Sequence, residues 1–151
     1  MTVLRQERLD GPSGEALLAA FMAEIVPLYP GWTPDTGPSA TADELSPPTG
    51  LFLVAYVDDE PVGCGGIKRL SDEAAELKRL YVAPTVRKQS VARALVAALE
   101  DAARDAGYQV VRLDTGAEQP AAVRLFRSAG YIEIDDYNAN PFASYWFEKL
   151  L

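Results

Sequence analysis

The sequence predicts a mixed α/β fold: one central, mostly antiparallel sheet of six to seven strands with helices on both faces. Three observations predict it. Alternating apolar strands come first and in hairpin-like succession, and the chain then switches to strand–helix–strand–helix–strand. The tight turn Asp58-Asp59-Glu60 joins two apolar runs, as in a β-hairpin. The stretch from Glu76 to Gly107 reads as a strand, a short cationic turn and a long amphipathic helix. With 151 residues, a single domain over 1–151 can bury a full core.

Each element has its own signal. Residues 2–8 (TVLRQER) alternate as a first strand. From Ser13 to about Leu28, Leu17, Leu18, Phe21, Ile25 and Leu28 recur at helical spacing, and Pro27 and Pro30 end the helix. Residues 29–49, rich in Pro, Gly and small polar groups, predict a long loop with one helical turn near Thr41–Leu45. Its Tyr29 and Trp32 suit a substrate-facing loop. Leu51–Val57 and Pro61–Leu70 form the hairpin, and Ala74–Val82 is the third strand beside them. The next helix buries Val91, Leu95, Leu99, Ala102 and Ala106 and stops at Gly107. Gln109–Leu113 is a buried strand, and Pro120 opens a helix that Gly130 closes. Tyr131–Ile134 and Ser144–Phe147 are the last strands, around a loop over Asp135–Pro141.

Composition narrows the chemistry. The chain has no histidine, which excludes Ser–His–Asp and Cys–His catalysis and histidine-ligated metal sites, and no metal is expected. Its single cysteine, Cys64, lies in the apolar VGCGG stretch and reads as a packing residue. No apolar run reaches the ~18–20 residues of a membrane span, and the N-terminus has no apolar signal region, so a cytoplasmic protein without a membrane partner is expected. The net charge of −8 is uneven. Residues 1–67 hold ten acids against Arg5 and Arg8, whereas residues 68–94 hold seven of the fourteen bases. A basic island in an acidic protein suits a small anionic ligand, not nucleic acid, which requires an extended basic surface.

That island surrounds a helix start. A helix N-terminus offers up to four unpaired N–H groups and partial positive charge, and Arg87 and Lys88 stand beside it. Strand, basic turn and helix form a phosphate-gripping unit.

The motifs around it resemble those of the GNAT superfamily of acyl-CoA-dependent N-acyltransferases, nearly end to end. One is LYV-x-P followed by Arg87-Lys88-Gln89-Ser90-Val91-Ala92. The other, about 30 residues on, is Gln119-Pro120-Ala121-Ala122-Val123-Arg124-Leu125-Phe126 through Gly130-Tyr131. The resemblance implies acetyl-CoA as cosubstrate. Its pyrophosphate would lie across Arg87, Lys88, Gln89, Ser90, Val91, Ala92 and Arg93. Its pantetheine arm would pair with the backbone of Leu80, Tyr81 and Val82, with Gln119 and Phe126 alongside. The chain departs from the family where Ser90, Lys88 and Ala92 replace common glycines. A positive φ at Ser90 would cost about 1–2 kcal/mol.

The resemblance also assigns catalytic work. Glu76, fourteen residues before Ser90, stands where the histone-acetyltransferase branch has a base acting through water. A strand glutamate paired with Lys78 or Arg112 is the alternative. Phe126 replaces the tyrosine that protonates the leaving thiolate in many members, leaving Tyr131, Tyr137 or Tyr145 as substitutes by region. The expected function is acetyl transfer to a primary amine by direct attack. The acidic first half and the Tyr29–Trp32 loop favour a small cationic acceptor. The family also allows a homodimer, and a non-catalytic acyl-CoA-binding module is the alternative function.

Overall fold

A computed structural model describes residues 1–87 and 90–151. The elements are β1 (Thr2–Gln6), α1 (Pro12–Ile25), β2 (Leu51–Val57), β3 (Glu60–Arg69), β4 (Ala74–Val82), α2 (Val91–Asp105), β5 (Val110–Thr115), α3 (Pro120–Ser128), β6 (Ile132–Ile134) and β7 (Tyr145–Leu150). Seven strands form one sheet in the order β1-β2-β3-β4-β5-β7-β6. The β4–β5 pair is parallel and the other neighbours are antiparallel. The predicted fold class is the observed one.

Period-two alternation splits β2 between two cores. Phe52, Val54 and Tyr56 pack with Leu17 of α1 and with Leu45, while Leu53 and Ala55 face α2 through Leu95 and Leu99. Phe126 of α3 belongs to the α2-side core.

Several boundaries differ from expectation for identifiable reasons. Helix α1 stops at Ile25 rather than Leu28, because Pro27 brings no N–H to bond back to Ala23. The hairpin turn uses Asp58 and Asp59 alone, with φ of 51° and 64°. Positive φ at both central residues is the two-residue turn whose twist matches antiparallel strands. Strand β7 runs on to Leu150 because β5 pairs with it along its whole length. The buried stripe of α2 is Val91, Leu95, Val96, Leu99, Glu100 and Ala103. Ala106 is exposed and Ala102 only half-buried, since the 3.6-residue period carries the stripe through Ala103.

Two features of β4 shape the functional end of the sheet. First, β4 and β5 pair only from Ala74–Glu76 to Val110–Arg112, and beyond that the parallel strands part. Second, Cys64 faces Tyr81 while Gly66 faces Lys78, so Arg79 and Leu80 together oppose Gly65. This is a β-bulge, and Arg79 carries it at φ 58°. Gly65 lets Leu80 and Leu99 pack closely against the bulge: a Cβ would lie 3.1 Å from Leu99 Cδ1 and 3.2 Å from Leu80 Cδ1, so both side chains would have to give way.

The loop between α1 and β2 is pinned from below. Thr41 and Glu44 bond reciprocally, Thr41 N–H to Glu44 Oε1 at 3.0 Å and Glu44 N–H to Thr41 Oγ1 at 3.2 Å. Leu45 behind them is fully buried, and Lys68 Nζ donates to Glu44 Oε2 at 2.9 Å. Burial works to raise the Glu44 carboxyl, but hydrogen bonds from the Thr41 backbone, Lys68 and Ser39 overcome it and hold it at about 2. The anchored turn leaves Tyr29 and Trp32 beside the parted strands.

Candidate active site

Two adjoining cavities occupy the gap. The larger, about 780 Å³, lies between α1, the end of β4, the start of α2 and α3. Of the sequence-predicted cosubstrate residues, Leu80, Tyr81, Val82, Arg87, Ser90, Ala92, Arg93 and Gln119 line it. Lys88 and Gln89 lie outside the described residues. Val91 has no exposed surface, so its side chain belongs to the core and its backbone N–H is what it can offer a ligand.

Ser90 precedes α2 with φ −82° and ψ 23°, an ordinary conformation for a non-glycine residue, so the strain considered for it does not arise. No side chain caps this helix start among the described residues, and its Ser90, Ala92 and Arg93 line the cleft. Arg87 is already engaged: its Nε donates to the Val82 carbonyl at 2.9 Å, and one terminal nitrogen reaches Glu24 of α1 at 2.5 and 2.7 Å. Arg93 donates to Ser128 Oγ at 2.6 Å. Arg124, on the exposed face of α3, also lines the cleft. Sequence reasoning missed it, although its place one turn into a helix that starts beside the phosphate turn was a usable signal.

The smaller cavity, about 140 Å³, opens where β4 and β5 part and shares Leu80, Gln119 and Ala122 with the larger one. Tyr29, Trp32, Arg79, Asp114, Phe126 and Asn140 are among its walls. Phe126 is 4% exposed and packs edge-on against Tyr131 at 5.5 Å. None of the three tyrosines named by region lines either cavity. Tyr131 donates to Glu100 at 2.8 Å, Tyr137 donates to Glu76 at 2.5 Å, and Tyr145 stacks on Phe147. Tyr29 does line it. Its hydroxyl accepts from Glu118 N–H at 3.1 Å and donates to Gln119 Oε1 at 3.3 Å. Burial pushes its pKa up, so the hydroxyl keeps its proton at neutral pH. Gly116 makes this possible, since a Cβ there would fall 2.0 Å from the Tyr29 oxygen.

Glu76 is 1% exposed and lines neither cavity. Its carboxylate faces Lys78 Nζ at 3.4 Å and accepts from Tyr137 and, at 3.2 Å, from Asn138. Of the two pairings considered from sequence, the one with Lys78 is present, and Arg112 turns instead to Glu148 at 3.1 Å. The carboxylate that lines the smaller cavity is Asp114, on β5. Asn138 Nδ2 donates to Asp114 Oδ2 at 2.5 Å as well as to Glu76, and Asn140 Nδ2 donates to Asp114 Oδ1 at 3.1 Å. Trp146 Nε1 donates to Asn138 Oδ1 at 2.9 Å, which fixes the orientation of that amide. Asp114 was findable: it is the second charge, after Arg112, on one face of a buried strand. Cys64 is 1% exposed and burial pushes its thiol up to about 12, which leaves it a packing residue.

Parted parallel strands, a bulge at the parting and an uncapped helix start beside it define the class: an acyl-CoA N-acyltransferase fold. The chain belongs to the acetyltransferase (GNAT) family, whose family model matches residues 18–131. It is 35% identical over 102 residues to an IAA acetyltransferase of Azospirillum brasilense, a match covering 67% of this chain and 63% of that protein. The chain thus spans less than two thirds of that relative. Its structure resembles a Klebsiella pneumoniae protein described as an acyl-CoA N-acyltransferase, with a TM-score of 0.81, 30% identity and coverage of 100% of this chain and 98% of that one. The PaiA N-acetyltransferase of Thermoplasma acidophilum, solved in complex with coenzyme A, shares the fold with a TM-score of 0.76 at 17% identity, over 100% of this chain and 99% of that one. Among the described residues, no helix is long and apolar enough to cross a membrane.

Proposed function

We propose that the protein transfers the acetyl group of acetyl-CoA to a primary amine by direct attack. The observation that carries this reading is the junction of the two cavities at Leu80, Gln119 and Ala122. One cavity ends on an open helix start, and the other is a small polar pocket holding a carboxylate. The pyrophosphate binds the backbone amides of Val91, Ala92 and Arg93, with Arg87, Arg93 and Arg124 around it. The pantetheine arm runs along the backbone of Leu80–Val82, whose side toward β5 has no strand partner.

At the junction the amine nitrogen attacks the thioester carbonyl carbon. A C–N bond forms and the carbonyl π pair moves onto oxygen, where backbone N–H groups of the bulged Leu80–Val82 stretch stabilise it. Collapse breaks the C–S bond, and sulfur leaves with the electron pair. An alkylamine has an ordinary pKa near ~10.4, so it arrives mostly as the ammonium, gives one proton to solvent before attack and must lose a second as the C–N bond forms. Asp114 takes that proton, directly or through one water, and Glu76 stands behind it through the shared Asn138 amide. Tyr29 gives a proton to the thiolate, a role Phe126 cannot fill, and after product leaves Tyr29 regains a proton from solvent while Asp114 returns its own to solvent. A buried, protonated Cys64 and the absence of histidine support direct attack over an acyl-enzyme intermediate.

The test is thiol release from acetyl-CoA across a panel of primary amines, paired with calorimetric CoA binding. Turnover with any amine supports the reading. CoA binding without thiol release from any of them supports a non-catalytic acyl-CoA module instead.

A further inference from the structure

One charged group in the smaller cavity has no use in the transfer itself. Arg79 carries the bulge at a positive φ, and its guanidinium lines the cavity near the Trp32 ring, 5.9 Å from the ring centroid. Its Nε is buried without a hydrogen-bond partner, and among the described residues no carboxylate lies within 4.0 Å of it. Arg5, Arg8, Arg69, Arg87, Arg104, Arg112 and Arg127 all have such a partner. Removing a guanidinium from water is costly unless an anion compensates it, and Arg is the side chain best shaped to take a carboxylate through two parallel hydrogen bonds. Burial lowers its pKa and Asp114 is the largest influence opposing that, so the two charges face a common space without touching.

We propose that the acceptor is a small amino acid, with its carboxylate on Arg79 and its amine toward Asp114. This rests on the transfer reading above and names its substrate class. Lys78 also lines this cavity of about 140 Å³ but is paired with Glu76, so Arg79 and Asp114 are the charges left to face a ligand, and together they are complementary to a small zwitterion. The acids of the N-terminal half, which suggested a small cationic amine, do not line this cavity: Asp114 is the one acid among its described walls. A simple amine would leave Arg79 uncompensated in the complex, whereas a carboxylate completes it.

The experiment compares matched acceptors on the unaltered protein: the amino acids, their amides and their decarboxylated amines, with acetyl-CoA and a free-thiol readout. An amino acid should exceed its amide and its amine by roughly 10- to 100-fold in kcat/KM, the range of a charge-assisted hydrogen bond. Arg79→Gln should remove that preference by raising the KM for the amino acid roughly 10- to 100-fold more than the KM for its amide. Amides or amines that serve equally well would overturn the proposal. So would thiol release from no amino acid in a protein that binds CoA normally. Failure to bind CoA would instead remove the reading of the larger cavity.

Discussion

Replacing Glu24 by glutamine should tighten CoA binding, because Glu24 competes with phosphate for Arg87. The two side chains are 37% and 42% exposed, and the bond between them is short. Exposed ion pairs contribute about 0.2–1 kcal/mol, so releasing Arg87 should strengthen binding by roughly 1.4- to 5-fold. The released guanidinium keeps its Nε bond to the Val82 carbonyl and so stays beside the cleft. Calorimetric titration of CoA at low salt measures the gain, which should shrink as salt screens the charges. Arg87→Ala should weaken binding about tenfold or more, and in that background Glu24→Gln should have no effect. A gain that survives Arg87→Ala would show that Glu24 repels the ligand itself. Unchanged affinity in Glu24→Gln would remove Arg87 from the phosphate site.

Three further predictions follow from the same geometry. Asp114→Asn should lower kcat/KM by roughly 10²-fold near neutral pH, with a deficit that shrinks at high pH where free amine is abundant, and Glu76→Gln should cost less; the reverse ranking would return the base to Glu76. Phe126→Tyr should leave the rate unchanged or raise it, while Tyr29→Phe lowers kcat. A large fall in a stably folded Phe126→Tyr protein would mean that this ring shapes the acyl pocket. Glu44, held at about 2 against an ordinary 4.5, contributes stability that is present above about pH 4.5 and lost as pH falls toward 2. An acid titration followed by tryptophan fluorescence should show a step in that window that Glu44→Gln removes.

Much of this molecule is local chemistry and was therefore legible. Strand alternation, helical spacing, the Asp58-Asp59 turn and the glycine stops at Gly107 and Gly130, with φ of 92° and 96°, depend on a few neighbouring residues each. The candidate cosubstrate cleft was legible only in part: the end of β4 and the first turn of α2 are nearly contiguous in sequence, whereas its α1 and α3 walls come from distant segments. The parting of β4 from β5 was not legible, because it depends on where two strands stop pairing, and the Arg79 bulge has no signature in ELKRLYV.

The candidate site's side chains divide along the same line. By itself the sequence determined which elements form, the sheet's mixed character, the helix start after a basic turn and the exclusion of histidine and disulfide chemistry. Tertiary structure alone decided that Glu76 lies behind Asp114, that Tyr29 reaches from the α1–β2 loop to Glu118, and that Arg79 faces the smaller cavity with its Nε unpartnered among the described residues. The reason is separation along the chain. Asn138 is 62 residues from Glu76, and Tyr29 is 89 from Glu118. Contacts of that range are set by how the sheet and its loops pack together, and spacing along the chain carries no record of them.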